Sequence, residues 1–322
     1  MKKLSFPRFL NGRILGALAV ALISVSVAKA ADYQSTVLND SPLAFYPLNL
    51  NVDTGTTASD VSGNNNPGTL VNIGNGFNNA IGPSAYITNA ISFDGGISQQ
   101  YIDLGDPDLF NFSGPITMEA WVQPASPTVG SSSPANILGK GYDANQGYDE
   151  LVLRANGGYY YGGTYSSTNS GNASGGQQTA NWAYLASTYD GTHWNMYVNG
   201  KLVGQGSDTV GAINFADPWR IGTGSADGAS RLFEGNITEV AMYNHALTPA
   251  QVITHYVMGQ YGVDANTAIP IITTEPQSQS NFPGNSVTFS VSALSLSPTT
   301  NQWFKNSTPL TGQTNATLTL TN

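Results

Sequence analysis

The fold class predicted for the chain beyond residue 31 is all-β, with one short helix near its C-terminal side. Three observations carry this. From Trp182 apolar and polar residues alternate up to Tyr189, Asp190-Gly191 breaks the run, alternation resumes from His193 to Val198, and Asn199-Gly200 breaks it again. Asp-Gly and Asn-Gly accept the positive φ of a tight turn, so two consecutive antiparallel hairpins are expected. Short alternating runs separated by clusters of Gly, Asn, Ser and Asp fill residues 32–245. A helical signal enters only at Thr248-Pro249-Ala250-Gln251, where a capping threonine, a proline at the first helical position and a glutamine at the third predict a capping box and a helix through about Met258.

In chain order, residues 1–30 combine a basic start, an apolar run from Ile14 to Val27 and the small-x-small triplet Ala28-Lys29-Ala30. This is the pattern of a secretory signal peptide cleaved after Ala30. The apolar run of about 14 residues is shorter than the roughly 20 that span a bilayer, so no membrane insertion is expected after cleavage. Of the 11 basic residues, Lys2, Lys3, Arg8, Arg13 and Lys29 fall in this segment, which leaves six against 20 acids. A mature chain that acidic is a poor partner for nucleic acid or an anionic membrane. The chain has no cysteine, so it has neither cystines nor a lipoprotein attachment site, a composition that suits a bacterial envelope protein.

The strand runs follow in order. Ala44-Phe45-Tyr46-Pro47-Leu48, Ile91-Ser92-Phe93-Asp94-Gly95 and Met118-Glu119-Ala120-Trp121-Val122 precede strands at Ile137-Leu138 and Leu151-Val152-Leu153. A Gly-rich strand holds Tyr159, Tyr160, Tyr161 and Tyr165, and Ile237 to Tyr243 is the last strand before the helix. Residues 263–270 read as a linker. Beyond it, Ser286–Val291, Gln302–Lys305 and Ala316–Leu320 read as further strands.

Taken together, Trp182, Tyr189-Asp190-Gly191, Trp194, Tyr197-Val198-Asn199-Gly200, Ile221-Gly222, Phe233-Glu234-Gly235-Asn236-Ile237-Thr238-Glu239-Val240 and Ala246-Leu247-Thr248 resemble the LamG-like jelly roll. This is the concanavalin A-like β-sandwich family that includes laminin G modules and pentraxins. The upstream strand motifs and Asp60-Val61-Ser62-Gly63 fit the same family in order, so the resemblance covers residues 32–262, with its core motifs in 114–258. Residues 271–322 resemble the front half of a bacterial immunoglobulin-like domain, with Trp303 at the position of its core tryptophan. The later strands of that family are missing, so a partial sandwich with uncovered strand edges is expected, as in a fragment of a longer protein.

Glucan hydrolases of this superfamily carry an E-x-D-x-x-E strand that places acid and nucleophile on one face. The chain has none. Asp106 and Asp108 straddle Pro107, Asp149 and Glu150 are adjacent and so point to opposite faces of a strand, and His193, His245 and His255 are scattered. No enzymatic activity is expected.

The resemblance implies calcium at one rim of the sandwich. By position the ligands would be Asp143 and Asn145 in Gly141–Gly147 and Asp227 in Gly224–Gly228, with Asp94 a further candidate. The alternative is that these residues stabilise turns through Asx hydrogen bonds. The remaining hint is aromatic. Tyr142, Tyr148, Tyr159, Tyr161 and Tyr165 are candidate ligand-binding residues, since a ring with a hydroxyl suits a wet binding surface. Alternation sends Tyr159 and Tyr161 to one face and Tyr160 to the other, and sandwich packing is the competing role. Trp121, Trp182 and Trp194 are assigned to packing. The expected function is a secreted, non-catalytic module binding carbohydrate, or protein, at the cell envelope, with calcium as its candidate cofactor. Two alternatives are a targeting module of a larger polysaccharide hydrolase and a structural or adhesion protein of the envelope.

Overall fold

The computed structural model describes residues 32–321 except 50–54, 74–78, 144–146, 167–169, 208–209, 226, 264–269, 275, 278, 280–284, 296–298 and 307. Residues 1–30, expected to be a signal peptide, and most of the expected 263–270 linker lie outside the described residues. The first element is a helix, α1 (Tyr33–Asn39), where strands alone were expected. Asp32 caps it, its carboxylate accepting from the Ser35 N–H at 2.7 Å, and Tyr33, Thr36 and Val37 face inward. At seven residues it is too short to display helical periodicity, which is why the sequence conceals it.

The strands are β1 (Ala44–Tyr46), β2 (Thr57–Ala58), β3 (Gly68–Val71), β4 (Asn79–Ile81), β5 (Asn89–Asp94), β6 (Tyr101–Gly105), β7 (Ile116–Pro124) and β8 (Ala135–Asp143). Then come β9 (Gly147–Asn156), β10 (Tyr159–Tyr165), β11 (Gly171–Gln177), β12 (Ala183–Tyr189), β13 (His193–Val198), β14 (Lys201–Ser207), β15 (Trp219–Ile221) and β16 (Glu234–Tyr243). They form two antiparallel sheets. Sheet A has the order β14-β13-β12-β7-β16-β5-β4, and β1 shares an edge of β16 with β5. Sheet B has the order β11-β10-β9-β8-β15-β6-β3-β2. Both hairpins read from the sequence are present: Gly191 takes φ 104° at the first turn, and Asn199 and Gly200 take 52° and 74° at the second. The glycine of the Phe233-Glu234-Gly235 motif is needed where β16 meets β7, because Gly235 has φ 137° and a Cβ there would lie 2.2 Å from the Gln123 carbonyl oxygen.

Two cores result. One fills the space between the sheets with Ile116, Met118, Ala120 and Val122 of sheet A against Leu151, Leu153, Tyr160 and Ile221 of sheet B. The second lies on the outer side of sheet A, where Phe45, Trp121, Tyr184 and Tyr243 pack beneath α1 and helix α2 (Pro249–Tyr261). The helix α2 opens with the expected capping box and ends at Gly262 in the left-handed region. Alternation therefore leaves one broad sheet surface free of helices, the outer side of sheet B.

Residues 271–321 contribute β17 (Ile271–Thr274), β18 (Val287–Ser290), β19 (Ser292–Leu294), β20 (Phe304–Lys305), β21 (Thr308–Pro309) and β22 (Thr317–Leu320), which join pairwise as β17–β19, β18–β22 and β20–β21. Trp303 lies with its ring 6.4 Å from that of Phe289 and donates to the Asn315 carbonyl at 2.8 Å, while Phe304 and Leu320 are exposed.

Candidate functional site

The residues of sheet B that alternate with the core form a belt. On β9, Leu151, Leu153 and Ala155 are core, so Glu150, Val152 and Arg154 point outward; on β10, Tyr160 is core and Tyr159, Tyr161 and Tyr165 point outward. By the same rule β15 turns Arg220 out, and β6 turns out Tyr101 and Asp103. Strand register places Tyr161 beside Arg154, Tyr165 beside Glu150 and Arg220 beside Asp103.

Arg154, Arg220 and Arg231 are the arginines beyond residue 30, and all three converge on this face, each against a tyrosine. The Arg154 guanidinium carbon is 4.1 Å from the Tyr165 ring centre, that of Arg231 is 3.5 Å from Tyr142, and that of Arg220 is 5.1 Å from Tyr101. Contacts of this kind add cation–π attraction to the packing. Carboxylates anchor the arginines from the other side. Arg154 donates to Glu150 at 2.8 Å, Arg231 pairs with the other Glu150 oxygen, and Arg220 donates to Asp103 at 3.3 Å and to the Ser225 carbonyl. Arg231 arrives from the loop after β15, which is tied to β8 by the Asn136 N–H on the Arg231 carbonyl at 2.8 Å.

Burial grades across the belt. Glu150, Arg154 and Arg220 are 1%, 6% and 7% exposed, whereas Tyr101, Tyr142, Tyr161 and Tyr165 are half-buried and Tyr159 is 50% exposed. The arginines are thus the bed and the tyrosines the surface. Burial raises the Glu150 carboxyl above its ordinary range, more than the charges of Arg154 and Arg231 lower it. Burial likewise raises the Tyr165 hydroxyl, partly offset by Arg154, so it is protonated and able to donate at neutral pH. Chemically the face offers immobilised rings fringed by hydroxyls, which suits stacking and hydrogen bonding. Its carboxylates Glu150 and Asp103 are both engaged by guanidinium groups.

Of the predicted binding tyrosines, Tyr142, Tyr159, Tyr161 and Tyr165 meet on this one face; the side chain of Tyr148 lies outside the described residues. The sequence reading missed Arg154, Arg220, Arg231 and Tyr101. A signal was available in the scarcity of arginine, but pairing each with its tyrosine needs cross-strand neighbours.

The candidate calcium ligands are not brought together in this way. Asn145 and the Asp143 side chain lie outside the described residues. The backbone of Asp143 ends β8, and Gly224 borders Asn136 near the start of that strand. Asp227 accepts from the Ala229 N–H at 2.9 Å, and Asp94 from the N–H groups of Gly96 and Ser98 at 3.1 and 2.9 Å, the Asx turns weighed as the alternative. Among the described residues no cluster of three His, Cys, Asp or Glu could hold a metal ion.

A second polar cluster lies in the core under the helices. Glu119 of β7 accepts from Tyr243 at 2.8 Å, from Tyr184, and from His255 Nδ1 at 2.9 Å; His255 Nε2 lies 2.9 Å from Asp40, which also accepts from Gln251 at 2.7 Å. Burial lowers the His255 pKa, but the charge of Glu119 and the hydrogen bonds to Asp40 and Glu119 outweigh it and lift it to about 9. His255 and Glu119 are fully buried, and Asp40 is partly exposed. The cluster joins β7, α2 and the end of α1.

With fold and face in place, the family model described as the concanavalin A-like lectin/glucanases superfamily matches residues 93–253. The chain belongs to this superfamily. The match embraces the lectin-like jelly roll from β5 into α2, including the hairpins and the tyrosine strand. Solved lectin-like structures similar in fold include the binding domain of Paraclostridial Mosquitocidal Protein 1, at 14% identity and a TM-score of 0.50, covering 68% of this chain and 52% of that one. Another comes from the study of botulinum neurotoxin type C, whose cell entry depends on interaction with two ganglioside molecules, at 12% identity and a TM-score of 0.50, covering 70% of this chain and 53% of that one. The chain spans about half the length of either structure, and at these identities the likeness is one of fold. No curated protein sequence matches the chain. Among the described residues, no helix is long and apolar enough to cross a membrane.

Proposed function

We propose that the protein is an exported, non-catalytic glycan-binding module and that the outer face of sheet B is its binding surface. The observation that carries this is the set of tyrosines that meet on this face, with an arginine guanidinium over the rings of Tyr101, Tyr142 and Tyr165. Fixing a ring before the ligand arrives removes part of the ordering cost of association, and ring faces stack on the apolar faces of sugars while hydroxyls serve the polar rim. Membership of a lectin-containing superfamily and the glycan partners of the type C neurotoxin support the same reading. Residues 1–30 are the export signal, cleaved after Ala30, and residues 271–322 are an immunoglobulin-like spacer that sets the module at the cell surface.

The test is glycan-array binding by the exported chain, with millimolar calcium and again with chelator, beside a Tyr161→Ala variant. Binding that Tyr161→Ala weakens about tenfold while its melting temperature holds supports the reading, and sensitivity to chelator would bring calcium into it. Attachment to cells with no glycan bound under either condition would replace it with a protein-contact role. Intact-mass measurement of the exported protein checks the cleavage site.

A further inference from the structure

The outer side of sheet A changes character where α2 stops covering it. Under the helix it is apolar, with Trp121, Tyr184 and Tyr243. One step along β12, β13 and β14 it becomes a row of short polar side chains, Thr188, Asn195 and Gln205, which strand register sets side by side. Asn195 donates to the Thr188 hydroxyl at 3.4 Å and Gln205 donates to Asn195 at 2.8 Å. Tyr197 and Leu202 flank the row on one side, Asp190 on the other, and the start of α2 forms a wall. Together they enclose a cavity of about 380 Å³, at the small end of the roughly 300–1,000 Å³ typical of ligand pockets.

The chemistry of this pocket is selective. Leu202 is 45% exposed and presents an apolar patch beside the amides. No basic side chain lines the cavity, and Asp190 brings a negative charge. Three amides of the wall are engaged: Leu247 N–H donates to Thr117 at 2.9 Å, Thr248 N–H to the Gln251 side chain at 2.8 Å, and Gln251 N–H to the Thr248 hydroxyl at 3.3 Å. Asp190 Oδ1 is engaged by Thr192 and the His193 N–H, so what remains are the Gln205 amide beyond its bond to Asn195, the second Asp190 oxygen beside His193, and a small apolar surface. Amides pair with adjacent hydroxyls through donor and acceptor together, and an apolar patch takes the C–H face of a ring.

We propose that the cavity between the β12–β13–β14 amide row and the start of α2 is a second saccharide site, on the opposite side of the sandwich from the tyrosine face and selective for uncharged sugars. It is independent of the first site, so the molecule carries two glycan contacts facing apart.

Proton–nitrogen correlation spectra of the full chain, titrated separately with maltotriose, cellotriose, xylotriose and trigalacturonate, test it. The expected result is a saturable shift of the Asn195 and Gln205 side-chain amides with at least one neutral trisaccharide, retained in Tyr161→Ala. Gln205→Ala should weaken that binding about tenfold, the scale of losing a hydrogen-bonded pair in a site, with the melting temperature unchanged because Gln205 is exposed. Absence of these shifts with all three neutral sugars overturns the proposal, as does equal binding of trigalacturonate. Shifts at Tyr161 without any at Gln205 would overturn it while leaving the tyrosine-face reading intact.

Discussion

The two sheets turn charged residues outward in opposite circumstances. Sheet A buries Glu119, His255 and part of Asp40 under two helices, where the groups satisfy one another and α1, β7 and α2 are fastened together. Sheet B also carries paired charges, Glu150 with two arginines and Asp103 with a third, but tyrosines cover them in place of helices. The same device, a buried ion pair, thus fixes backbone elements on one side and ring surfaces on the other. Buried pairs of this kind contribute little net stability compared with apolar packing, yet breaking one partner is costly. Cutting a pair on either sheet should therefore cost stability, whereas trimming the tyrosines that cover sheet B should leave the fold in place.

The largest effect that would sharpen this contrast is Glu119→Ala. It leaves the His255 imidazolium with Asp40 as its remaining carboxylate partner and the hydroxyls of Tyr184 and Tyr243 unpaired in the interior, at a cost of about 3–5 kcal/mol. Chemical denaturation reads it directly, and a loss below about 1 kcal/mol would mean the cluster does not fasten the helices.

Next comes the pH response of the same cluster. The His255 pKa rises from 6.5 to about 9 on folding, so its contribution is complete below pH 6.5 and declines as pH climbs through about 9. Burial raises the Asp40 pKa, but hydrogen bonds from His255 and Gln251 outweigh it and bring it below 3.8. The Asp40 contribution is therefore present above pH 3.8 and disappears as pH falls below it. The melting temperature should plateau between these limits and drop on the alkaline side. In His255→Gln the alkaline decline should flatten; an unchanged decline would assign it to other groups.

On the open side the expected losses are in affinity. Tyr161→Ala should weaken glycan binding about tenfold, equivalent to roughly 1.4 kcal/mol, with stability within about 0.5 kcal/mol of the parent. If it unfolds the protein instead, the tyrosine face is packing and the contrast between the sheets collapses. The smallest effect is Thr248→Ala, which removes the capping hydroxyl from α2 and should cost about 1 kcal/mol in a thermal melt.

Much of the fold was legible because it is written in local rules. The Asn199-Gly200 turn, the capping box at Thr248 and the alternation that buries Tyr160 while exposing Tyr159 and Tyr161 each depend on residues close in sequence. The helix α1 escaped because seven residues offer less than two full turns of pattern.

By itself, then, the sequence determined the class of fold, its hairpins, its capped helix and the tyrosine strand, since turn chemistry and the two-residue period act between neighbours. Tertiary structure alone decided that Asp40, Glu119 and His255 meet, and that Arg154, Arg220 and Arg231 each lie against a tyrosine. Those contacts join groups from separate strands, loops and helices, and the partner of a charge is chosen by which segments pack together, which no local pattern encodes.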